Sequence, residues 1–178
     1  PVFVDVEMDA NVSPSQIKRA ISPKTKMIIV VHTLGKPAKM AEIKKIAREN
    51  NLVLFEDACE AHGATVKGKK VGSFGKVGTF SFYVAHNMTT AEGGMIATND
   101  KNLAQVARSL RDFGRFMAEG KEKRFSVRDP VLGKYDTRQL FSRLGYNLRM
   151  TDIQAAIGVE QLKKLDRMNK KRLENANF

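Results

Sequence analysis

The stretch that decides the fold is MIIVVHTLGKPAKMAEIKKIARENNLVLFED, residues 27–57. It begins with Met27–Val31, a continuous apolar and mostly β-branched run that is typical of a strand buried in a parallel sheet. Ala41–Glu49 follows with apolar residues at helical spacing, and Leu52–Phe55 is a second buried strand that ends in two acids. Strand, helix and strand in this order predict a βαβ unit with a right-handed crossover. The sequence therefore predicts an α/β fold with a mixed, mostly parallel sheet flanked by helices.

The segments around this unit carry weaker patterns. On the N-terminal side, Val2–Val6 alternates like a short strand, and Ser13 with Pro14 is a typical start of a short helix. Beyond Asp57, closely spaced glycines separate short strand-like pieces, and a further strand is predicted at Met95–Thr98. The chain therefore adds several short strands to the central unit.

The C-terminal half predicts two helices separated by a long irregular segment. Asn99 is predicted to cap a helix from Lys101 to about Asp112, and a second helix is predicted from Thr151 to about Asn175. Between them, the chain is polar and basic from Gly114 to Asn147, and a loop of that length inside a domain is usually functional or mobile. We expect residues 1–112 to form the core, 113–150 an irregular substrate or dimer-interface segment, and 151–178 a helix leading toward a further small domain.

Composition excludes several classes of protein. The chain has 178 residues, of which 42% are hydrophobic and 28% charged, a balance that is typical of a folded domain rather than of a disordered chain. No apolar run approaches the roughly 20 residues that a membrane-spanning helix needs, and the first residues do not resemble a signal peptide, so a cytoplasmic location is expected. The single cysteine, Cys59, excludes an internal disulfide and a cysteine-built metal site within the chain.

The net charge of +12 allows three interpretations. It can be a solvated basic surface, a field that attracts a small anionic ligand such as a phosphate or a nucleotide sugar, or a surface for nucleic acid. The basic residues are scattered, and no helix-turn-helix, zinc-finger or RNP pattern accompanies them. We therefore expect no nucleic-acid partner.

Three polar residues follow or interrupt the predicted strands. Asp57 ends a strand at the sheet edge where α/β proteins bind ligands, and a buried carboxylate there needs a cationic partner; a helix-cap or ion-pair role is the alternative. Ser81 places a hydroxyl inside an apolar strand, and His86 lies in a tight polar turn before the paired glycines Gly93 and Gly94. These residues are the first candidates for a site.

The three histidines are ambiguous from position alone. His32, His62 and His86 each come soon after a predicted strand, and a structural role is as compatible with that position as a catalytic one. No histidine pair has the i, i+4 spacing of a helical zinc motif. No metal site is predicted.

Four segments in order resemble one family. They are EDACEAHGA (56–64), KVGSFGKVGTFSFY (70–83), EGGMIATND (92–100) and LGYNLRMTDIQAAIG (144–158). Together they are similar to the DegT/DnrJ/EryC1/StrS family of pyridoxal-phosphate enzymes, which act on nucleotide-linked keto sugars. The resemblance implies the large domain of a fold-type I pyridoxal-phosphate-dependent transferase.

The resemblance also implies roles for individual residues. Asp57 would pair with the pyridinium nitrogen of pyridoxal or pyridoxamine 5'-phosphate, which keeps the ring an electron sink. Ser81 would bind the cofactor phosphate, and Glu60 would be a further cofactor-binding residue. Asn147 would reach the phosphate in the partner subunit of a homodimer.

Residue 86 departs from the pattern of the family's aminotransferases. They place a lysine where this chain has His86, and an imidazole cannot hold the cofactor as a Schiff base. A subgroup with histidine at this place removes the C3 hydroxyl of nucleotide-linked 4-keto-6-deoxyhexoses in deoxysugar and lipopolysaccharide biosynthesis. In that subgroup the histidine is the acid–base residue. The resemblance therefore implies a 3-dehydratase with His86 as its catalytic residue.

Other positions leave alternatives open. The segment RDFGR (111–115) is similar to the iron–sulfur 3-dehydrases, but Phe116–Phe125 has no cysteine, so no iron–sulfur cluster is expected and glutamate is the expected amino donor. Asn87 matches the aminotransferases instead of a second histidine. A lysine-less relative that binds cofactor or nucleotide sugar without turnover, or a sugar aminotransferase, is therefore the alternative. The nucleotide and the sugar stereochemistry stay open.

Overall fold

The computed structural model describes residues 1–117, 127–131, 133–136 and 140–176. The chain forms two compact units, one made of Pro1–Asn99 with Thr151–Phe178 and the other of Asp100–Met150. The division at residues 112 and 150 that we expect from the sequence concerns the roles of the segments and stays a prediction. In the described ranges, no helix is both long enough and apolar enough to cross a membrane.

The described part of the chain contains short strands and α-helices. The strands are β1 (Met27–Val31), β2 (Val53–Asp57), β3 (Thr65–Val66), β4 (Lys69–Lys70), β5 (Val77–Ser81), β6 (Gly94–Ala97), β7 (Val127–Asp129) and β8 (Gly133–Tyr135). The α-helices are α1 (Pro14–Ala20), α2 (Met40–Glu49), α3 (Lys101–Arg111), α4 (Asp152–Leu162) and α5 (Leu165–Ala176).

The main sheet has the order β1-β2-β5-β6. Strands β1, β2 and β5 are parallel, whereas β6 pairs antiparallel with β5. The mixed, mostly parallel sheet that residues 27–57 predict is therefore confirmed. Strands β3 and β4 form a separate hairpin, as do β7 and β8.

One face of the sheet is covered by helices. The even-numbered residues of β1 and β2, including Ile28, Val30 and Leu54, point toward α1 and α2. They form the main core cluster, which consists of Ile17, Ile28, Val30, Ala38, Met40, Ile43, Ala47 and Leu54. Full burial of each large aliphatic side chain contributes about 1.5–3 kcal/mol, so this cluster holds the βαβ unit together.

The other face carries both exposed apolar residues and the polar strand ends. Met27, Ile29 and Val31 are 45%, 56% and 45% exposed. Residues that pair in parallel strands present their side chains on the same face, and Val31 pairs with Asp57, which in turn pairs with Thr79. Asp57 and Thr79, with Ser81 two residues further on, therefore lie on this exposed face.

Three local predictions from the sequence are wrong. The N-terminal segment has no strand, only an isolated bridge between Val6 and Val12, because it has no neighbouring strand to pair with. Asp100, not Asn99, caps α3, and its carboxylate accepts from the Leu103 N–H at 3.1 Å. The C-terminal helix is split into α4 and α5 by a turn at Lys163 and Lys164, where the Lys164 N–H donates to the Gln161 carbonyl at 3.0 Å.

The second unit is built on α3. The segment that we expect to be irregular contains the β7–β8 hairpin, and bridges join Asp112 to Asn147 and Arg115 to Phe141. Of the Phe116–Phe125 stretch, which is noted above for its lack of cysteine, residues 118–125 lie outside the described part of the chain.

Candidate functional site

Asp57 is the last residue of β2, at the carboxyl edge of the parallel strands. Its Oδ1 accepts a hydrogen bond from the Cys59 N–H at 3.0 Å, and the side chain is half-buried. Burial and the nearby Asp57 carboxylate raise the pKa of the Cys59 thiol to about 11, so this thiol stays protonated. Within the described residues Asp57 forms no salt bridge, which leaves its negative charge available to a cationic ligand.

Ser81 ends the neighbouring strand β5 on the same face. Its hydroxyl oxygen accepts from the Tyr83 N–H at 3.3 Å, so the hydroxyl proton remains available for donation. A carboxylate acceptor at Asp57 and a hydroxyl donor at Ser81 thus lie at the same sheet edge. The sequence predicts both residues there.

Glu56, next to Asp57, points to the opposite face and is fully buried with His32. Its Oε1 accepts from the N–H groups of Phe74 and Gly75, both at 2.6 Å, and its Oε2 accepts from the Gly72 N–H at 2.8 Å. Burial raises the pKa of Glu56. The hydrogen bonds from His32 and from these backbone groups together lower it by more, so the net shift of the pKa is downward. The sequence gives no separate role to Glu56; the glycines at 72 and 75 are the signal for a turn that presents its N–H groups.

His32 completes this network. Its Nδ1 accepts from the Ala38 N–H at 3.1 Å, so Nε2 carries the ring proton and donates to Glu56 Oε2 at 3.2 Å. Every polar atom of the His32 ring is therefore used in holding the loop after β1 to β2. His32 therefore has a structural role.

His86 lies in the loop that joins β5 to β6. The loop is closed by the Thr90 N–H, which donates to the Phe82 carbonyl at 2.9 Å, and by the His86 N–H, which donates to the Tyr83 carbonyl at 3.0 Å. The imidazole lies edge-on to the Tyr83 ring, with the centroids 6.1 Å apart. Its Nδ1 is buried and has no hydrogen-bond partner in the described structure. The sequence predicts this turn position.

His62 lies close to this loop and is 5% exposed. Its ring packs against Phe80 and Phe82, with centroid distances of 5.5 and 5.7 Å. Burial is the main cause that lowers the pKa of His62; the Asn87 amide raises it, and the charges of His86 and Arg172 lower it. Neither ring nitrogen makes a hydrogen bond of acceptable geometry to any described residue.

Helix α5 fastens the loops that carry the two histidines. Asn169 Nδ2 donates to the His62 carbonyl at 2.7 Å. The Asn87 side-chain amide can lie in two orientations. In one, its nitrogen donates to the Glu60 carbonyl at 2.6 Å and its oxygen accepts from Arg172 Nη1 at 3.1 Å. In the other, its nitrogen donates to Asn169 Oδ1 at 3.2 Å. Either orientation ties the loop to α5. No pattern in the sequence identifies Asn169 or Arg172, because the contact joins residues more than 80 positions apart.

Glu60 and Asn147 are also predicted to bind the cofactor, and each has its own contacts. The Glu60 carboxylate accepts from the Leu34 N–H at 2.8 Å, so it holds the loop after β1. Asn147 belongs to the second unit, where it is exposed and forms an isolated bridge with Asp112. Their assignment to cofactor binding stays a prediction.

Metal-binding geometry is a separate question. In the described ranges, no group of three or more histidine, cysteine, aspartate or glutamate side chains is arranged to hold a metal ion.

Known proteins similar to this chain include a 3-dehydratase, a lipopolysaccharide biosynthesis protein and a GDP-perosamine synthase. The chain is 43% identical to dTDP-4-dehydro-2,6-dideoxy-D-glucose 3-dehydratase of Saccharopolyspora spinosa, over 98% of its own length and 40% of the relative's. It is 41% identical to the lipopolysaccharide biosynthesis protein RfbH of Salmonella typhimurium, over 100% and 43% of the two lengths. It is 42% identical to GDP-perosamine synthase of Caulobacter vibrioides, over 93% and 40%. The chain thus spans less than half the length of these relatives.

Solved structures of a 3-dehydratase and of an aminotransferase also match the chain. The E. coli GDP-4-keto-6-deoxy-D-mannose-3-dehydratase, solved with bound hydrated PLP, matches with a TM-score of 0.86 at 36% identity, over 98% of this chain and 45% of that one. An aminotransferase from Psychrobacter cryohalolentis matches with a TM-score of 0.86 at 38% identity, over 99% and 43%.

The family resemblance of the four sequence segments is confirmed by a match along the whole chain. The pattern of one protein family covers residues 1–178. The chain belongs to the DegT/DnrJ/EryC1/StrS aminotransferase family.

Proposed function

We propose that this chain is the cofactor-binding core of an enzyme that removes the C3 hydroxyl of a nucleotide-linked 4-keto-6-deoxyhexose with pyridoxal or pyridoxamine 5'-phosphate. The observation that carries the proposal is the imidazole at residue 86. It lies in the loop after β5 with its Nδ1 buried, at the place where the family resemblance implies a lysine in an aminotransferase. An imidazole can move a proton but cannot form the covalent link that a lysine amine forms.

The residues at the sheet edge fit this cofactor. Asp57 is a half-buried carboxylate with no salt bridge to a described residue, so it suits a protonated pyridine nitrogen. Ser81 keeps its hydroxyl proton for donation, which suits a phosphate oxygen. When bound, the cofactor supplies an amine for the sugar ketone and a ring that accepts electrons. Asp57 would favour that role, because its negative charge keeps the ring nitrogen protonated.

His86 would do the acid–base work. When Nδ1 carries the ring proton, Nε2 has a free lone pair and can take up a proton. The same Nε2–H can then donate to the oxygen that leaves carbon C3, so that the hydroxyl departs as water. An imidazole can both take up and return a proton near neutral pH, which suits both steps.

The remaining assignments complete the proposed site. Asn147 would bind the phosphate across a homodimer, Glu60 would contact the cofactor, and glutamate would be the amino donor. The net charge of +12 favours a substrate with a diphosphate, because the summed field attracts anions. Relatives named as 3-dehydratases support the dehydratase activity. The GDP-perosamine synthases among the relatives support the aminotransferase alternative.

Product analysis tests the proposal. The protein is incubated with pyridoxal 5'-phosphate, glutamate and a nucleotide-linked 4-keto-6-deoxyhexose, and the sugar product is analysed by mass spectrometry. We expect loss of the C3 oxygen in the parent. His86→Asn should retain cofactor, as shown by its absorbance after gel filtration, but lose at least the ~10²–10⁴-fold in rate that is typical of an acid–base residue.

A second variant separates the two activities. His86→Lys restores an amine at this place, and we expect it to shift the product toward a C4 amino sugar. A C4 amine as the main product of the parent would refute the dehydratase proposal. No change in the sugar with any variant would favour a binding protein without turnover.

A further inference from the structure

Tyr83 lies between two residues that the proposed function uses, Ser81 and His86. Its N–H donates to the Ser81 hydroxyl oxygen at 3.3 Å, and its carbonyl accepts from the His86 N–H at 3.0 Å. The second bond closes a four-residue turn at positions 83–86, and such a turn brings its first and last Cα atoms within about 7 Å of each other. The side chains of Tyr83 and His86 are therefore neighbours because of a local turn.

The rings of these two residues meet in a defined geometry. Their centroids are 6.1 Å apart and their planes are inclined by 72°, which is an edge-to-face contact. Aromatic pairs prefer offset or edge-to-face arrangements, with centroids about 4.5–7 Å apart, over a face-to-face sandwich. Among the ring pairs of the described residues, this is the one that involves His86.

Hydrogen bonds of the described residues do not fix the orientation of the His86 ring, since its Nδ1 is buried without a partner among them. The orientation of a histidine ring is commonly set by a hydrogen bond of the nitrogen that does not react. An aromatic contact can contribute in the same way, because it favours one rotamer over its alternatives by a factor of about 2–10. The Tyr83 ring is therefore suited to limiting the rotation of the imidazole.

We propose that Tyr83 is a positioning residue, whose ring holds the His86 imidazole in one rotamer for proton transfer. The inference rests on the proposed role of His86 and adds the side chain that orients it. It gives no role to the Tyr83 hydroxyl, so a phenyl ring should serve as well as a phenol. Side-chain variants at residue 83 keep both main-chain hydrogen bonds, so they test the ring contact while the turn is preserved.

NMR of the protein without cofactor or substrate tests the contact. Three-bond couplings across χ1 of His86 show whether its side chain occupies one staggered rotamer or exchanges among several. The signals of His86 are assigned by their loss in His86→Asn, since the chain has only three histidines. We expect one rotamer in the parent and in Tyr83→Phe, and averaged couplings in Tyr83→Leu.

A control variant comes from the same turn. Val84 is 63% exposed, and Val84→Ala should give the couplings of the parent. Tyr83 is 46% exposed, so its replacement leaves the core unchanged and all of these variants should fold.

Kinetics of C3 deoxygenation test whether the contact serves the reaction. A small misplacement of a reacting group can lower the rate by as much as about 10²-fold. We expect Tyr83→Leu to lower kcat by about 10–100-fold, with KM and cofactor retention unchanged, and Tyr83→Phe to keep kcat within about twofold of the parent. A ring that merely fills space in the turn would leave kcat unchanged in both variants.

Several results would overturn the inference. They are averaged couplings in the parent, parent-like couplings in Tyr83→Leu, and an unchanged kcat in Tyr83→Leu. A kcat in Tyr83→Phe as low as that in Tyr83→Leu would also overturn it, because the hydroxyl group and not the ring would then be required.

The couplings are independent of the proposed activity. A single His86 rotamer that depends on the ring of Tyr83, in a protein that does not remove the C3 oxygen, would support the positioning of His86 and refute the function. Deoxygenation by a parent whose His86 couplings are averaged would leave the function in place and refute the role of Tyr83.

Discussion

Replacing Glu56 by glutamine removes one charge from a fully buried network without changing its shape. The carboxylate accepts four hydrogen bonds, two on each oxygen, from Phe74, Gly75, Gly72 and His32. A glutamine has one carbonyl oxygen and one amide nitrogen, so it can accept only two of the four. The other two donors would face the NH₂ group, which is itself a donor.

The cost follows from this count. A buried donor that loses its acceptor costs about 1–3 kcal/mol, so two such donors cost about 2–6 kcal/mol. We expect Glu56→Gln to lower the free energy of unfolding by about 4 kcal/mol. Because small proteins have a total stability of about 5–15 kcal/mol, this loss is a large fraction of the whole. With a urea dependence of about 2 kcal/mol per molar, the unfolding midpoint should fall by about 2 M.

Urea unfolding followed by circular dichroism measures this change. Glu49→Gln is the matched control, since its contact with Lys45 at 3.8 Å is exposed and should contribute less than about 0.5 kcal/mol. The pKa of Glu56 in the folded protein lies below its ordinary value of 4.5, so its stabilisation is complete above pH 4.5 and is lost as the pH falls through the folded pKa. The difference between parent and Glu56→Gln should therefore shrink below pH 4.5. A loss of less than about 1 kcal/mol at neutral pH would refute the argument.

Two further predictions concern cofactor retention and the anchoring of the loops. Asp57→Asn should fold normally but lose bound pyridoxal phosphate faster on dialysis, as read from its absorbance, because the charge beside the ring nitrogen is gone; Asp5→Asn is the control, and equal retention in both would contradict the assignment. Asn169→Ala removes the 2.7 Å bond to the His62 carbonyl and should destabilise the protein by about 1 kcal/mol, with faster amide exchange in the loop after β2. Asn175→Ala on the same helix should change neither quantity, and equal behaviour of the two variants would show that the loop does not depend on this contact.

The central part of the fold could be predicted from sequence because its pattern is local. Met27–Val31 is a strand with the predicted bounds, and the helix begins one residue earlier than expected, at Met40. Strand β2 continues to Asp57, two residues beyond the apolar run, because Glu56 is buried by contacts with a turn some 16 to 19 residues later. The spacing of hydrophobic residues gives no information about such long-range contacts. The same reason explains why Val2–Val6 is not a strand, since alternation alone does not provide a partner to pair with.

The residues of the candidate site likewise fall into those that the sequence indicates and those that it does not. Strand ends and tight turns are visible in sequence, so Asp57, Ser81 and His86 could be named as candidates before the structure was known. The residues that hold them in place could not, because they act across long separations: Asn169 reaches the backbone of His62 from a helix more than 100 residues later. Only the family resemblance implies Asn147, and its proposed role would depend on a partner subunit.

The adjacent acids Glu56 and Asp57 lie in different environments, one suited to stabilising the fold and the other to the proposed chemistry. Successive side chains of a strand point to opposite faces, so a pair of neighbouring carboxylates is divided between two environments. The Glu56 carboxylate accepts four hydrogen bonds, and all of them hold parts of the fold together. Asp57 accepts from one backbone N–H and forms no salt bridge with a described residue. The scaffold contacts of Glu56 fix the end of β2, and this in turn fixes where Asp57 presents its carboxylate. The proposed role of Asp57 toward a cationic ring would therefore depend on the buried hydrogen bonds of the acid before it.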